Sequence, residues 1–322
     1  MIFKIGNLQL DHWPVLLAPM EGVSDPSFRN ICHNLGADIV YTEFISSEGL
    51  IRDAVKSSNK LNIENDNYIG IQIFGNNISS MIEAAKIAAT KNPLVIDSNC
   101  GCPVKKVVNK GCGAALLKDI DLMIDIAKNV VKHIPNIPIT VKTRLGWDYK
   151  SIYIHDVVKK LQEVGIQMVT IHARTRCQMY TGEANWNYIR QIKDDKSITI
   201  PIIGNGDIDD YIKALNYKNK YNVDGIMIGR AAIGNPWIFQ SIKQQMKINP
   251  SLKDRIDVLL EHANNIVKCR GEKYGILLLR KHYNHYFNAI PNFKRFKMKL
   301  MNTCTLNELN NVINEIKNEY QL

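Results

Sequence analysis

Eight short apolar runs recur along the first 230 residues of this 322-residue chain. Most are near-continuous rather than alternating, as expected for parallel strands that are covered on both faces. Amphipathic helical patterns fill most of the intervals, for example at residues 81–89 and 154–161. Eight β/α repeats in about 230 residues predict an α/β fold, the (β/α)8 TIM barrel. The predicted strands are Val15–Ala18, Ile39–Tyr41, Ile69–Ile73, Leu94–Ile96, Ile139–Val141, Met168–Ile171, Ile202–Ile203 and Gly225–Ile228.

A doubly wound parallel sheet is the alternative fold. It usually carries a Gly-rich dinucleotide-binding turn after its first strand. Here the corresponding turn is Ala18-Pro19-Met20-Glu21-Gly22, which lacks that pattern. The barrel is therefore favoured.

The strand repeat stops after Pro236-Trp237. Beyond it, residues 255–270, 275–290 and 306–320 carry helical patterns with mixed apolar and basic faces. We therefore predict a barrel domain over residues 1–245 and a small all-helical domain over residues 246–322.

Positive charge is concentrated in the last quarter of the chain. The net charge is +10, and residues 241–322 alone hold 14 Lys/Arg against 7 Asp/Glu. A basic module beside a near-neutral one suggests a polyanionic partner, nucleic acid first. On charge alone, a solvated lysine-rich surface is the competing explanation.

The seven cysteines are odd in number and do not suggest a disulfide framework. Cys100, Cys102 and Cys112 match metal-ligand spacings poorly, so no metal is expected. No apolar run approaches the roughly 20 residues that span a bilayer, and the N-terminus lacks a signal-peptide pattern. We expect a cytoplasmic protein with no membrane association and no obligatory protein partner.

The run Asp97-Ser98-Asn99-Cys100-Gly101-Cys102-Pro103 follows the fourth predicted strand. Such a sequence delivers an amide, Asn99, and a thiol, Cys102, to a loop at the strand's C-terminal end. In parallel α/β proteins that end carries the chemistry. The simpler explanation for an isolated cysteine is a small core residue, but the loop context favours a functional thiol.

Residues suited to a flavin site follow almost every predicted strand. Glycine-bearing loops after strands 7 and 8 form the recurrent phosphate cradle of such barrels. Taken singly, Lys142 fits a surface lysine and His172 a core histidine, but coincidence does not explain the full set. Its members are Pro19, Met20, Gln72, Asn99, Cys102, Lys142, Arg144, His172, Arg174, Asn205, Gly206, Asp207, Gly229 and Arg230.

With these residues assembled, the chain resembles the tRNA-dihydrouridine synthases, most closely their bacterial B-type branch. The matching motifs run in family order over the whole barrel. Cys100 is a departure, because a larger apolar residue is expected there. The motifs comprise residues 18–25, 99–103, 141–147, 172–176, 204–207 and 229–237, with a weaker match at Arg280-Lys281-His282-Tyr283.

The resemblance implies reduction of the C5–C6 bond of uridine in tRNA, with FMN as cofactor and NADPH as reductant. Cys102 would donate the proton to C5, and Lys142 would lie by the N1/O2 edge of the flavin. Asn99, Arg144 and Arg174 are the candidates for contacting the uracil and its flanking phosphates. The residues implied in cofactor binding are Pro19, Met20, Glu21, Gln72, Lys142, His172, Asn205, Gly206, Asp207, Gly229 and Arg230.

The target uridine must leave the folded RNA to reach the flavin. Basic side chains would supply most of the affinity for the RNA backbone. The strongest candidates are Arg280-Lys281 and the run Lys294–Lys299.

Two other interpretations remain open. One is an FMN-dependent barrel that reduces a free pyrimidine, similar to a dihydroorotate dehydrogenase, which leaves the basic helical tail unexplained. The other is an RNA-binding module on a decayed barrel, against which Cys102 and Lys142 argue.

Overall fold

The computed structural model describes residues 2–63 and 68–322. Eight parallel strands form a closed barrel, which confirms the predicted fold and all eight predicted strands. The barrel strands are β3 (Val15–Leu17), β4 (Ile39–Tyr41), β6 (Ile69–Phe74), β7 (Val95–Cys100), β8 (Ile139–Arg144), β9 (Met168–His172), β10 (Ile202–Asn205) and β11 (Gly225–Ile228); the others are β1 (Phe3–Ile5), β2 (Leu8–Leu10) and β5 (Ile45–Ser46).

The barrel closes between β4 and β6, where Val40 pairs with Ile69. The short strand β5 adds a second parallel pairing to the end of β6. The β1–β2 hairpin contributes Phe3 and Ile5 to an apolar cluster inside the barrel, which also contains Leu16. This cluster fills the barrel interior towards the N-terminal ends of the strands. The interior at the C-terminal ends of the strands is left for the functional side chains.

Helices surround the barrel and bury their apolar faces against the outside of the strands. The first begins at Pro26, and the Asp25 side chain caps it by accepting a hydrogen bond from the N–H of Phe28 at 3.1 Å. The helices are α1 (Pro26–Asn34), α2 (Ser47–Ile51), α3 (Val55–Ser58), α4 (Ile78–Ala89), α5 (Lys105–Val108), α6 (Ile120–His133), α7 (Ile154–Glu163), α8 (Asn187–Asp194), α9 (Tyr211–Tyr221) and α10 (Trp237–Gln244), with 3-10 turns at Asn59–Leu61, Gly113–Lys118 and Arg230–Ala232.

Four more helices complete the chain and share an apolar cluster of their own. They are α11 (Leu252–Arg270), α12 (Glu272–Tyr286), α13 (Lys294–Asn302) and α14 (Leu306–Glu319). The cluster also includes Trp237 of α10, upstream of the predicted boundary at residue 245. The division into two domains at that residue stays a prediction.

Two features of this helical segment differ from the sequence prediction. The helix expected over 275–290 ends at Tyr286, because Ala289 adopts a left-handed conformation, φ 59°, ahead of Pro291. Helix α13 was not predicted; it is short, four of its nine residues are Lys or Arg, and its buried residues are Phe296 and Leu300.

Helix α1 packs against α11, and a buried group of rings joins the barrel to the helical segment. Phe28 stacks on His262 and meets His282 edge-on at 4.7 Å between centroids. The N–H of Gly234 donates to the His282 ring at 3.1 Å. The helical segment is thus packed against the barrel, and His285 of α12 lines the cavity at the C-terminal ends of the strands.

Candidate active site

A cavity of about 1020 Å³ opens at the C-terminal ends of the strands. It contains most of the side chains that the sequence singled out. The predicted residues that line it are Pro19, Met20, Glu21, Asn99, Cys102, Lys142, Arg144, His172, Arg174, Asn205, Gly206, Asp207, Gly229 and Arg230.

The loop after β7 holds Cys102 at the cavity wall. The Asn99 side-chain oxygen accepts hydrogen bonds from the backbone N–H groups of Gly101 at 3.1 Å and Cys102 at 2.9 Å. The thiol is half-buried, and burial is the largest influence on its pKa, which is raised above the ordinary value. The group is therefore protonated at neutral pH and able to donate a proton.

Cys100 has a different environment, although it is only two residues away. Its side chain is 2% exposed and belongs to the layer between strands and helices. Burial raises the pKa of its thiol to about 12. Strand β7 ends at Cys100, whose side chain faces the covering helices, whereas Cys102 lies in the loop beyond the strand and lines the cavity.

A group of basic side chains surrounds the centre of the cavity. Lys142 donates to the Asn205 side-chain oxygen at 3.3 Å; burial, and secondly Arg144, lower its pKa to about 8. His172 is buried, and desolvation together with the same cations holds its pKa well below the ordinary value. At neutral pH the site therefore combines a largely charged lysine with a neutral imidazole.

Arg144 is buried and bound to the protein backbone. Its Nε donates to the carbonyl of Gly101 at 2.9 Å, and its Nη1 donates to the carbonyls of Thr175 and Met179, each at 2.9 Å. The side chain thus joins the Cys102 loop to the loop after β9. This is a positioning role, additional to the predicted contact with substrate.

Arg174 is likewise held by internal contacts. It forms an ion pair with Asp207 at 2.7 Å, and its side chain is 2% exposed. Its guanidinium also donates to the carbonyl of Gly182 at 2.5 Å and to that of Thr181 at 3.3 Å. Arg174 therefore fixes the loop after β9 onto the loop after β10.

The loops after β10 and β11 bring Asp207 and Arg230 together at 3.4 Å. Between the strand and Asp207, Gly206 has φ 122°, and an added Cβ would lie 3.0 Å from the His172 ring. At Gly229 an added Cβ would instead meet Ala18 at 3.8 Å and Met20 at 3.9 Å, which are ordinary contacts. A small side chain would therefore fit at Gly229 without a clash.

Tyr180 is a site residue that the sequence analysis missed. Its half-exposed ring lines the cavity between Arg144, 5.6 Å away, and Arg230, 5.0 Å away. Met179, next to it, has φ 54°, and its carbonyl accepts from Arg144. A tyrosine in a loop shortly after the His172–Arg176 motif was the available signal, but its partners are distant in sequence.

Gln72 does not line the cavity. Its side chain is fully buried in the barrel interior, where it bonds to Asp97 at 2.7 Å and to Asn99 at 2.8 Å. Its predicted contact with the pyrimidine edge of the flavin stays a prediction. The other cofactor candidate, Glu21, lies at the cavity rim in an ion pair with Lys60 at 2.6 Å.

The basic residues predicted to contact RNA separate into two groups. Lys281 donates to the carbonyls of Glu21 and Gly22, both at 3.1 Å, and Arg280 donates to the Thr303 carbonyl at 3.1 Å. These two residues hold the helical segment together and onto the barrel. In α13, Arg295 and Lys299 pair with Glu319 and Glu315, whereas Lys294 and Lys297 are exposed.

Among the described residues, no group of three His, Cys, Asp or Glu side chains is arranged to hold a metal ion. Within the same ranges, no helix has the length and apolar character needed to cross a membrane.

Fold and site together define a (β/α)8-barrel enzyme whose cavity holds a protonated thiol among basic side chains. The dihydrouridine synthase family matches residues 16–321. The chain belongs to that family. It is 39% identical over 310 residues to a probable tRNA-dihydrouridine synthase of Rickettsia bellii, covering 94% of each chain.

It is also similar to the B-type branch, as the motifs predicted. Identity to tRNA-dihydrouridine synthase B of Pseudomonas putida is 38% over 302 residues, covering 92% of this chain and 88% of that one.

Solved structures share the barrel at low sequence identity. The old yellow enzyme homologue of Zymomonas mobilis has a TM-score of 0.51 at 10% identity, over 77% of this chain and 93% of that one. Histamine dehydrogenase from Rhizobium sp. 4-9 has a TM-score of 0.56 at 11% identity, over 81% of this chain. This chain spans only 50% of the length of that dehydrogenase, and at these identities the likeness concerns the fold.

Proposed function

We propose that this chain reduces the C5–C6 double bond of uridine in tRNA to 5,6-dihydrouridine, with NADPH as reductant, FMN as cofactor and Cys102 as proton donor. The observation that carries the proposal is the Cys102 thiol, which is held at the wall of a large basic cavity and kept protonated by burial. Family membership supplies the reaction class, since the relatives named above are tRNA-dihydrouridine synthases.

The cavity fits FMN in size and charge. Its volume of about 1020 Å³ lies at the upper end for small-molecule sites, which leaves room for a cofactor and a base together. Gly229 lines the cavity without a side chain, and Arg230 beside it is half-exposed and cationic. Lys142 presents a cation to an anionic ring edge. The other residues proposed to hold FMN are Pro19, Met20, Glu21, His172, Asn205, Gly206 and Asp207.

When bound, FMN supplies hydride transfer from NADPH to C6 of the uracil. The Cys102 Sγ–H then gives its proton to C5, so that the new C–H bonds at C5 and C6 replace the double bond. The thiolate left on Cys102 regains a proton from solvent. One NADPH and one proton are consumed for each dihydrouridine.

The protein's own residues orient this transfer. Asn99 and Arg144 hold the Cys102 loop through its backbone, and Tyr180 offers a half-exposed aromatic face at the cavity. A base that leaves its stack commonly gains stacking on such a ring. Asn99, Arg144 and Arg174 remain the proposed contacts to the uracil and its neighbouring phosphates.

Two exposed basic surfaces are proposed to bind the tRNA backbone. One is helix α13 with Lys294 and Lys297. The other is the barrel rim beside the Cys102 loop, where Trp147 lies between Lys118 at 3.9 Å and Arg176 at 4.6 Å. Phosphate contacts of this kind position an RNA without reading its sequence.

The test compares two cysteine variants on tRNA that lacks dihydrouridine, with the product measured by mass spectrometry. Cys102→Ala should keep bound FMN and its reduction by NADPH, yet lose tRNA reduction by about 100-fold or more. Cys100→Ala is the matched control and should keep activity, because its thiol lies in the core. Equal losses in both variants would refute the assignment of the donor. Comparable activity on free uridine and on tRNA would instead favour the free-pyrimidine alternative.

A further inference from the structure

A buried carboxylate lies beneath the cavity and has no part in the chemistry proposed above. Asp97 of β7 is 1% exposed. One of its oxygens accepts from the Thr140 hydroxyl at 2.5 Å, and the other accepts from the Gln72 amide nitrogen at 2.7 Å. Both oxygens are thus engaged within the barrel interior.

The hydrogen bonds continue upwards from Gln72 to the catalytic loop. The Gln72 amide oxygen accepts from the Asn99 amide nitrogen at 2.8 Å. The Asn99 oxygen, in turn, accepts from the backbone N–H groups of Gly101 and Cys102. An unbroken line of side chains therefore leads from Asp97 to the backbone that carries the thiol.

The donors and acceptors along this line of side chains allow only one orientation of the Gln72 and Asn99 amides. An ionised carboxylate only accepts hydrogen bonds, so Gln72 must turn its NH₂ group towards Asp97. The Gln72 oxygen then faces Asn99, whose NH₂ group donates a hydrogen bond to it. The Asn99 oxygen is left to accept from the backbone N–H groups of Gly101 and Cys102. Reversing either amide would place a donor against a donor.

We propose that Asp97 and Gln72 are positioning residues for the reaction, which act through Asn99 to fix the loop that presents the Cys102 thiol. Naming Cys102 as the proton donor rests on the proposed function, whereas the control of its loop does not. Burial of all three polar side chains strengthens these hydrogen bonds, because water does not compete for the same partners.

The energetic cost of Asp97 supports this role. Desolvation raises the pKa of its carboxyl to about 6, against the opposing hydrogen bonds from Thr140 and Gln72 and the charge of Lys142. Burial, and secondly the charge of this carboxylate, raise the pKa of the buried Tyr41 hydroxyl well above its ordinary value. An apolar residue would avoid this cost, so the position is explained by what the carboxylate orients.

The test measures how fast a small thiol reagent modifies Cys102 in the FMN-loaded protein, resolved peptide by peptide by mass spectrometry. Gln72→Met keeps the side-chain volume but removes the hydrogen bonds to Asp97 and Asn99. Modification of Cys102 should accelerate about tenfold, the factor for one lost hydrogen bond. The exposed Cys177 should be unchanged. Thr170→Val, a buried polar-to-apolar change in the same interior but off the line, should match the wild type.

Gln72→Glu provides a pH signature that a merely structural residue would not give. A protonated Glu can donate to Asp97 and accept from Asn99, so near pH 6 the modification rate should equal that of the wild type. At about pH 9 two carboxylates would face each other, and the rate ratio should approach that of Gln72→Met.

A Cys102 modification rate that stays at the wild-type value in both variants at every pH would overturn the proposal. If FMN content fell at the same time, Gln72 would be a cofactor contact instead. Should Gln72→Met unfold, shown by rapid modification of the buried Cys32, the pH profile of Gln72→Glu decides. Since the measurement needs no tRNA, failure of the proposed function would appear separately, as absent dihydrouridine with the modification pattern intact.

Discussion

Arg270 and Glu43 form an ion pair of 2.6 Å between helix α11 and the barrel, and their side chains are only 10% and 6% exposed. The second carboxylate oxygen of Glu43 accepts from the backbone N–H of Gly22 at 2.5 Å. Gly22 follows Glu21, which lines the cavity. The ion pair therefore connects the helical segment to a wall of the active site, so this segment is a support for the cavity as well as a surface for RNA.

Removing one partner of this pair should be costly. Arg270→Met leaves the Glu43 carboxylate buried without its cation, and we expect the free energy of unfolding to fall by about 3–5 kcal/mol. Urea denaturation measures the loss. The double variant Glu43→Gln with Arg270→Met should recover part of it, because a neutral amide still accepts from the N–H of Gly22. A loss below about 1 kcal/mol would show that the pair contributes no more than a surface salt bridge.

The barrel was predictable from the sequence because each strand is a short apolar run and each covering helix has an amphipathic pattern. Both signals lie within a few consecutive residues. The same local signal placed the polar residues at the strand ends, and nearly all of them line the cavity. It could not show what those side chains bind. Arg144, for instance, bonds to carbonyls 31, 35 and 43 residues away.

The contacts that the sequence did not reveal have the same physical origin. The register of β6 and β7 pairs Gln72 with Asp97 inside the barrel, and the flavin contact of Gln72 stays a prediction. Lys281 carries the charge expected of an RNA contact, yet its partners are carbonyls on a loop about 260 residues earlier. Neither pairing leaves a local trace in the sequence, because both arise from tertiary packing.

His172 should make the protein sensitive to acid. The folded-state pKa of His172 is well below 6.5, so near pH 6.5 His172 takes up a proton in the unfolded chain but stays neutral in the folded protein. The free energy of unfolding therefore falls as the pH drops below that value. Between about pH 7.5 and 5.5, His172→Gln should lose about 1.4 kcal/mol less stability than the wild type. Urea denaturation at both pH values tests this, with the exposed His133→Gln as control. Equal losses in His172→Gln and wild type would contradict it.

Lys142 should destabilise the flavin-free protein. Its folded pKa of about 8, against 10.5 ordinarily, means that the folded state carries the cost of a desolvated charge below pH 8, and that the cost fades as the pH rises from 8 towards 10.5. Lys142→Met should therefore stabilise the flavin-free protein at pH 7 by about 1–2 kcal/mol, allowing for water in the cavity.

The gain from Lys142→Met should shrink above about pH 8 and should fall once FMN is bound, since the cation then has an anionic partner. Thermal unfolding with and without FMN measures both effects. Lys132→Met, at the exposed end of α6, is the matched control. A variant that is less stable than the wild type without FMN would contradict this account of the site.

Lys294 and Lys297 of α13, which form no ion pair with any described residue, should contribute more to tRNA binding than their paired neighbour. Arg295 is already engaged with Glu319 at 2.5 Å, whereas Lys294 and Lys297 are exposed. Replacing either lysine with Gln should weaken binding and reduce the salt slope of log K by about 0.9 for a duplex contact, or about 0.7 for a single strand. Arg295→Gln should change both quantities less, because its guanidinium is already engaged by Glu319 and contributes less to a phosphate contact than an exposed lysine does.

Filter binding or fluorescence anisotropy across a salt series gives both quantities, and FMN content should stay unchanged in all variants. Lys132→Gln is the matched control, since α6 ends at the side of the barrel opposite the cavity. An unchanged affinity and slope in the Lys294 and Lys297 variants would move the RNA surface to the barrel rim. Charge removal at Lys118 and Arg176, beside Trp147, should then produce the loss that α13 did not.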